Sequence, residues 1–241
     1  RVVRDPIDLI DKIMNDGHQV ALHGYTHQNY DLMTYDAIHE DLTKTSDLIH
    51  TFGKVRPAFV RVPYDKCSTA NCTKVLSDMG LTRIHYNVDS SDWENAYRND
   101  TPSQQDKVLR PEDESTKLSM ERLNGILKEA DPKHDSIILL HHETFPFVLK
   151  LIPKVIDTIR AKGFTFVPLA ECLGEMPYKE CQFTSSHPYH RKTHHDSTTT
   201  TTNSTPSHTP TPTPIPTGGA QVHNVAAWTF GLGAILAYVL A

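Results

Sequence analysis

Two histidines near the beginning of the chain have the type and spacing of metal ligands. His23 and His27 are separated by three residues, and they follow a short apolar stretch at 20–22. Gly24 comes directly after the first histidine, where a regular element would stop. The pattern predicts a buried strand that delivers two imidazoles into the loop at its end. Neutral imidazole binds zinc and similar divalent ions, so the pair could begin a metal site, although ordinary loop histidines share this spacing.

Further polar groups also follow short apolar stretches. They are Arg61 with Tyr64, Asp89 with Asp92 and Trp93, and His141 with His142 and Glu143. Imidazoles and carboxylates are the side chains that most often transfer protons in catalysis. Each group also has a structural interpretation: Arg61 as a surface ion-pair residue and Trp93 as a core residue. The two aspartates alone would be loop caps.

Helical and strand-like patterns alternate between these groups. Apolar spacing predicts helices at about 6–16, 34–52, 75–79, 117–130 and 149–162. It predicts strands at about 18–22, 58–61, 81–88, 136–140 and 164–167. Apolar strands that alternate with helices indicate a parallel α/β sheet or barrel. Such folds hold their sites at the carboxyl ends of strands, where all the polar groups fall, so we expect one metal-centred active site.

Composition divides the 241 residues into a globular part and a tail. Residues 1–182 have an ordinary globular composition, whereas 183–217 are rich in Ser, Thr, Pro and His. The second stretch cannot bury enough apolar surface to offset its ordering entropy, so we expect a disordered, O-glycosylated stalk. The net charge of −5 and the pI near 6.3 give no basic surface, which argues against nucleic acid as a partner. No feature indicates an obligate protein partner.

The end of the sequence, 218–241, predicts attachment of a lipid. Small residues at 218–220 precede a polar spacer at 221–224 and an uncharged apolar run that reaches the last residue. This order is that of a glycosylphosphatidylinositol (GPI) attachment signal, in which the tail is removed, and we place the attachment at Gly218. A single-pass tail anchor is the alternative, although the run is slightly short and no basic residue follows it. Both predictions put the domain at a membrane, secreted or within the secretory route.

Cysteines and glycosylation sequons suit that route. The four cysteines form two close pairs, Cys67 with Cys72 and Cys172 with Cys181, for which we favour two local disulfides. A zinc site made by all four is the alternative, but it lacks C-x2-C spacing. Three asparagines stand in N-x-S/T sequons, namely Asn71, Asn99 and Asn203.

The other end predicts a truncated sequence. Arg1 is not a start methionine, and no charged and apolar secretory leader follows it. A chain with an attachment signal and no leader is expected to lack its front.

The ordered motifs resemble those of the polysaccharide deacetylases of the NodB-homology type, carbohydrate esterase family 4. His23 to His27 are similar to the second motif, His-Ser/Thr-x-x-His, with Gly24 in place of the hydroxyl residue. Arg61 to Tyr64 are similar to the third, Arg-Pro-Pro-Tyr, with Val62 for the first proline. Asp89 to Trp93 match the fourth, Asp-x-x-Asp-Trp, and Leu139 to Glu143 contain the fifth, Leu-x-His.

The first motif of that family, Thr-Phe-Asp-Asp-Gly, has no counterpart, since the sequence has no Asp-Asp pair. The resemblance spans about residues 5–175. It implies a distorted (β/α) barrel of the polysaccharide deacetylase type, incomplete at its N-terminus and followed by a disordered tail.

The resemblance also implies roles for these residues. His23 and His27 would bind a divalent metal, zinc or alternatively cobalt, with an aspartate of the missing motif as third ligand. Tyr64 would stabilise the oxyanion through its backbone N–H, Arg61 would orient an acidic partner, and Trp93 with Leu140 would wall the acetyl pocket.

The fifth motif fits in two registers, with either His141 or His142 as the acid that protonates the leaving amine. Neighbouring residues on a strand face opposite sides, so one of the two should face the site. We favour His142, because only this register is followed by an acid, Glu143. Either Asp89 or Asp92 would pair with the acid.

The expected activity is metal-dependent hydrolysis of the N-acetyl groups of chitin or chito-oligosaccharides, giving chitosan and acetate. We expect a protein that a GPI lipid anchors to the membrane on the outside of a fungal cell, at the wall. The alternatives are a catalytically inactive glycan-binding protein and an esterase for O-acetyl polysaccharides. Because the Asp-Asp motif is missing, we expect these 241 residues alone to bind metal weakly and to turn over little.

Overall fold

A computed structural model describes residues 6–98, 108–181, 227–230 and 234–240. The helices are α1 (Pro6–Asn15), α2 (Tyr35–Gly53), α3 (Ala70–Asp78), α4 (Asp92–Asn95), α5 (Glu112–Glu129), α6 (Val148–Ala161) and α7 (Leu169–Leu173). Short 3-10 helices occupy Tyr30–Leu32 and Pro63–Asp65. The strands are β1 (Gln19–Leu22), β2 (Val55–Pro57), β3 (Phe59–Val60), β4 (Thr82–Arg83), β5 (Val88–Asp89), β6 (Leu139–Leu140), β7 (Phe166–Pro168), β8 (Tyr178–Cys181), β9 (Ala227–Phe230) and β10 (Ala234–Leu240).

The strands form one large sheet and one small one. The order in the large sheet is β4-β3-β1-β10-β9-β6-β5, and β7 pairs with β10. The pairs β1 with β3, β3 with β4 and β5 with β6 are parallel. Strand β10 runs antiparallel to β1, β7 and β9, and β2 pairs with β8 in the small sheet. The α/β prediction is confirmed, while the antiparallel strands were not predicted.

The apolar tail of the sequence takes part in the large sheet. The tail supplies β9 and β10, and β10 lies between β1 and β9. Cleavage at Gly218 would remove both strands, so this pairing and lipid attachment exclude each other in one mature molecule. In the described parts of the chain, no helix is long and apolar enough to cross a membrane. The predicted stalk at 183–217, the sequons at Asn99 and Asn203, and Gly218 itself lie outside the described residues.

Two apolar clusters hold the strand ends in place. One packs α5 and α6 against the sheet through Val88, Leu123, Leu139, Leu151, Val155 and Ile159. The other joins β1, β3 and α7 through Ala21, Phe59, Ile84, Ile138 and Leu169. Burying a side chain of this size contributes about 1.5–3 kcal/mol. These contacts fix the positions from which the following loops start.

The segment predicted as one strand at 81–88 is two strands in the structure. Ile84 N–H donates to the Val60 carbonyl, which continues the pairing of β4 with β3. Asn87 N–H donates to the Ile138 carbonyl, and the Asn87 side chain accepts from Ile138 N–H. The chain thus leaves one neighbour and joins another within a few residues, which breaks the regular strand.

One of the two predicted disulfides is present. Cys67 and Cys72 are bonded at the start of α3, whose exposed Asn71 carries the sequon. The predicted bridge from Cys172 to Cys181 is wrong, because Cys172 is a free, exposed cysteine on α7. The chain turns away from α7 at Gly174, and Cys181 lies on β8 opposite Val55. The four-cysteine zinc site is also excluded, since two of its ligands are oxidised to each other.

Gly53 lies where α1 packs on the last turn of α2, and it provides a stability prediction. A Cβ there would lie 2.8 Å from Ile10 Cγ2 and 3.0 Å from Met14 Sδ. We expect Gly53→Ala to lower the free energy of unfolding by about 1–3 kcal/mol, because it overpacks this contact. Gly125→Ala is the matched control, since a Cβ at that helical glycine meets nothing within 4 Å.

We expect Gly125→Ala to raise the free energy of unfolding by up to about 1 kcal/mol through helix propensity alone. Urea unfolding of both variants and the parent measures the difference. A Gly53→Ala protein as stable as the parent would contradict the packing argument.

Candidate active site

A cavity of about 390 Å³ opens at the carboxyl ends of β1, β3, β5 and β6. Each strand is followed by one of the polar groups found in the sequence. The lining residues are His23, His27, Arg61, Val62, Tyr64, Asp65, Tyr86, Asp89, Trp93, Leu140 and His142. The structure thus brings together residues that are more than a hundred positions apart in the chain. Of the catalytic candidates, Asp92 and His141 are buried beneath this lining.

The two histidines of the first motif lie edge to face in the cavity. Their ring centroids are 4.9 Å apart with an interplanar angle of 75°. His23 Nδ1 lies 2.7 Å from the Arg61 carbonyl oxygen, which can only accept, so Nδ1 carries the proton and Nε2 has a lone pair. Burial, aided by the charge of Arg61, lowers the pKa of His23 to about 3. Burial also lowers the pKa of His27.

Both rings are consequently neutral at neutral pH, which is the form that binds metals. Metal-binding histidines commonly direct the other ring nitrogen to a carbonyl, as His23 does. Across the residues that the structure describes, no group of at least three His, Cys, Asp or Glu side chains is arranged to hold an ion. His23 and His27 therefore fit two positions of a metal site, and a third ligand is not among the described residues.

Arg61 is a buried residue, not the surface ion-pair residue that its sequence also allowed. Its exposed fraction is 3%. Burial lowers the pKa of Arg61 to about 10, against the opposing charges of Tyr86, Asp65, Asp92 and Glu143. Its Nη1 has no hydrogen-bond partner among the described residues. A buried guanidinium nitrogen in this state is a strong donor available to an acidic group.

Tyr64 projects over the cavity from a strained turn. Its side chain is 64% exposed, and its ring lies 4.7 Å from the ring of His27. Tyr64 and Asp65 have consecutive left-handed backbones with φ of 54° and 55°. Such residues typically cost about 1–3 kcal/mol each and persist where the surroundings impose them. The turn places the backbone of Tyr64 at the cavity.

Arg83 imposes this turn, and sequence reasoning missed it. Its guanidinium donates to the carbonyl and carboxylate oxygens of Asp65 at 3.0 and 3.1 Å, and to the Cys67 carbonyl at 2.9 Å. His85 Nδ1 lies 2.9 Å from the other carboxylate oxygen of Asp65. Asp65 also lines the cavity. The sequence offered one indication of this contact, because an acidic residue, Asp65, directly follows the Arg-Val-Pro-Tyr motif.

Asp92 is a carboxylate with no exposure to water, and it holds His142. It accepts from His142 Nδ1 at 2.8 Å, from the His142 backbone N–H at 2.6 Å and from the Trp93 N–H at 2.8 Å. Its second histidine neighbour, His141 Nδ1, is 3.7 Å away. Burial would raise the pKa of Asp92, but the bonds and charges of the two histidines outweigh it and hold that pKa below its ordinary value. Asp92 is therefore ionised.

The structure separates the two registers of the last motif. His142 lines the cavity, and its Nδ1 is hydrogen-bonded to Asp92. Its Nε2 is therefore the nitrogen that can contact a bound substrate. His141 is buried behind the cavity wall with an exposed fraction of 1%. Asp92, and not Asp89, is the partner of His142, because Asp89 accepts from Ser91 N–H in its own turn.

Apolar groups complete the wall. Trp93 is 46% exposed at the rim, which differs from the core position that its sequence also allowed. Leu140 is buried and lines the interior. Together they offer an apolar surface beside the polar groups.

Sequence comparison relates these residues to known deacetylases. The model of the polysaccharide deacetylase family matches residues 2–84, a range that includes both histidines and Arg61. A chitin deacetylase of Colletotrichum lindemuthianum is 30% identical over 171 residues, which cover 70% of this chain and 62% of that protein. A chitin deacetylase of Arthroderma benhamiae is 24% identical over 174 residues, covering 72% of this chain and 42% of that protein. The chain thus spans less than two thirds of either relative.

Structure comparison agrees. The structure of the chitin deacetylase from Colletotrichum lindemuthianum superposes with a TM-score of 0.61 at 27% identity, covering 77% of this chain and 76% of that one. The Bc1960 peptidoglycan N-acetylglucosamine deacetylase gives a TM-score of 0.55 at 20% identity and covers 71% of each chain, a likeness of fold alone. With the cavity, the ordered motifs and both comparisons in agreement, the chain is similar to the polysaccharide deacetylases in sequence, most clearly over residues 2–84, and it has their α/β fold.

Proposed function

We propose that this chain is a metal-dependent deacetylase that hydrolyses the N-acetyl groups of chitin to give chitosan and acetate. One observation supports it most: His23, His27, Arg61 and His142 come from three separate strand ends and line the same cavity. We choose chitin as the substrate because two of the similar proteins are named chitin deacetylases. Because the chain covers only part of these proteins, the activity of the whole protein is a proposal as well.

His23 and His27 would hold the metal, zinc or cobalt, as neutral imidazoles. When bound, the ion supplies a Lewis acid that activates water and polarises the acetyl carbonyl. The remaining steps rest on the residues of this chain. Trp93 and Leu140 provide an apolar surface for the acetyl methyl group, and the exposed ring of Tyr64 offers a face for a sugar.

Two further groups would act beside the metal, one on the carbonyl oxygen of the substrate and one on an acidic group. The backbone N–H of Tyr64 is the donor that we assign to the carbonyl oxygen as negative charge develops there, a contribution of about 3–4 kcal/mol for one such donor. Arg61 would orient an acidic group, since its Nη1 has no hydrogen-bond partner in the described part of the chain.

His142 is the acid that we assign to the leaving group. The water oxygen bonds to the acetyl carbonyl carbon and its proton passes to a base, which the resemblance places in the second aspartate of the missing motif. The amide C–N bond then breaks as the nitrogen takes a proton from His142 Nε2, because an amine leaves poorly as an anion. The ionised Asp92 accepts from Nδ1 and fixes the orientation of the ring. Asp92 therefore acts on the substrate only through His142.

We extend the proposal to location. The domain would act on the outside of a fungal cell, at the wall, with a GPI lipid as its membrane anchor, in a mature form that lacks β9 and β10. The Cys67–Cys72 disulfide supports an oxidising compartment, which the secretory route provides. Mass spectrometry of the protein released from membranes by phospholipase would identify the lipid, and a chain that ends at Ala241 would contradict it.

A glycan-binding protein without catalysis is the second candidate. It is favoured by the two-member metal site, since the described residues provide only His23 and His27 as ligands. Acetate release from chitin oligomers, measured with zinc, with cobalt and with chelator on protein expressed from the full open reading frame, distinguishes the two. Release that the chelator abolishes supports the enzyme, and oligomer binding without release refutes it. Release from O-acetyl xylan alone would indicate an esterase.

His142→Asn gives the sharpest test of the acid. Asparagine keeps a donor for Asp92 and removes Nε2. We expect kcat for acetate release to fall by a factor of about 10² to 10⁴, with KM and the zinc Kd nearly unchanged. His134→Asn is the control, since His134 is an exposed residue that pairs with Asp131. A kcat within twofold of the parent would refute the assignment.

The neutral state of His23 predicts a pH dependence of stability. In the unfolded chain histidine takes up a proton near pH 6.5, whereas folded His23 has a pKa of about 3. The unfolded state therefore binds more protons below neutrality, and stability is lost as the pH falls. Between pH 7 and pH 5 we expect His23 to account for a loss of about 2 kcal/mol in the free energy of unfolding.

Urea unfolding in chelator at several pH values measures this loss. His23→Asn should lack the contribution and show a flatter pH profile. His39→Asn, at an exposed position on α2, should retain the profile of the parent. Equal slopes for His23→Asn and the parent would contradict the argument.

A further inference from the structure

One buried carboxylate holds the histidine loop, residues 23–27. Asp41 on α2 is 4% exposed. Its Oδ1 accepts from the Thr26 N–H at 2.8 Å and the Thr26 hydroxyl at 2.6 Å. Its Oδ2 accepts from the Tyr25 N–H at 2.9 Å and the Tyr30 hydroxyl at 2.8 Å. Both oxygens are thus used, as a buried carboxylate requires, and three of the four donors belong to the loop.

Asp41 is the only carboxylate on the buried face of α2. The other buried residues of this helix are uncharged, namely Ile38, Leu42, Thr45, Ser46, Ile49 and Gly53. A carboxylate among such residues is costly unless its bonds are made. The donors that satisfy it come from the loop and from Tyr30, so the helix and the loop stabilise each other's positions.

Gly24 makes room for this arrangement. A Cβ at position 24 would lie 2.5 Å from Tyr30 Oη and 2.8 Å from Asp41 Oδ2. The backbone of Gly24 also has a φ of +76°, which residues with side chains rarely adopt. The second motif of the deacetylases has Ser or Thr at this position, whereas this chain has Gly24. The surroundings require the glycine, because a side chain there would displace the Asp41 carboxylate from the loop.

The contacts of Asp41 determine the conformation of His27. Tyr25 and Thr26 directly precede it, and with their N–H groups held by Asp41 the chain reaches His27 with a left-handed φ of 53°. That conformation is unfavourable for a residue with a side chain and needs an outside constraint. It directs the ring against His23 at 4.9 Å and against Tyr64 at 4.7 Å.

We propose that Asp41 is a positioning residue for His27, acting through the N–H groups of Tyr25 and Thr26. Its carboxylate sets the distance and angle between the two imidazoles, and Gly24 with Tyr30 completes the unit. The inference rests on the proposed function only in treating His27 as a metal ligand. Asp41 itself does not touch the metal or the substrate.

Asp31 offers a control of the same design elsewhere in the domain. It accepts from the Ser68 N–H at 2.6 Å, the Ser68 hydroxyl at 2.9 Å and the Thr69 N–H at 3.1 Å. It thus holds two consecutive N–H groups and a hydroxyl, as Asp41 does, but in the turn before α3. If Asp41 contributed to stability alone, replacing Asp41 and replacing Asp31 would have the same effect on the placement of His27.

The test compares Asp41→Asn with Asp31→Asn in the full chain by NMR. Without metal, the nuclear Overhauser effect (NOE) between the rings of His27 and Tyr64 reports the placement of His27. Zinc titration followed on the His27 ring signals then gives a Kd. We expect Asp41→Asn to lose the NOE and to raise the zinc Kd about tenfold, the lower end of what indirect partners of metal ligands contribute. Asp31→Asn should keep both.

Milder variants cover the case in which Asp41→Asn does not fold. Tyr30→Phe removes one of the four donors to Asp41, and we expect a weaker NOE with a Kd about threefold higher, a smaller loss because three donors remain. Gly24→Ala places a methyl group against the carboxylate and should resemble Asp41→Asn.

The inference is overturned if the parent shows no NOE between these rings. It is also overturned if the folded variants at positions 24, 30 and 41 keep the NOE and the Kd of the parent, or if Asp31→Asn loses as much. Neither readout uses substrate, so failure to release acetate would refute the proposed function and leave this inference standing.

Discussion

A charged carboxylate without access to water is the constraint on which the site depends. Asp92 has no exposed surface, and an isolated charge in that position costs several kcal/mol. It is stabilised by His142, which follows β6, and by the N–H groups of His142 and Trp93. Satisfying this charge therefore joins the carboxyl ends of β5 and β6. It also leaves Nε2 of His142 directed away from the carboxylate, so the orientation of the proposed acid follows from a requirement of folding.

On the other side of the cavity, a buried hydrogen bond also joins two strand ends. The bond between His23 Nδ1 and the Arg61 carbonyl joins the ends of β1 and β3, and it sets which nitrogen of His23 has a lone pair. Below this polar layer the strands alternate, so that Leu139 packs in the core while Leu140 lines the cavity. Strained turns at Tyr64 and His27 persist because Arg83 and Asp41 hold the neighbouring backbone. The cavity is thus shaped by buried polar groups standing on an apolar base.

Sequence reasoning was most successful where the signal was local. The apolar spacing of Ile38, Leu42, Thr45 and Ile49 predicted α2, and all four side chains are buried. Strand β1 was predicted within one residue of its observed bounds. The segment at 81–88 was predicted poorly, because its break depends on a change of partner from Val60 to Ile138. Asp41 was overlooked for a similar reason, since a carboxylate within a helical pattern gives no indication of the loop that it holds.

The sequence by itself determined the α/β class, the similarity to the polysaccharide deacetylases and the four groups of polar residues that follow the strands. These are properties of residue type, order and short-range periodicity, which local chemistry expresses directly. Only the tertiary structure decided that Asp92 pairs with His142, that His141 lies behind the wall, that Arg61 is buried and that Cys172 is free. Each of these outcomes depends on which distant segment of the chain packs beside the residue. Asp92 and His142 lie 50 residues apart, and their pairing exists only once the strands β5 and β6 have been brought side by side.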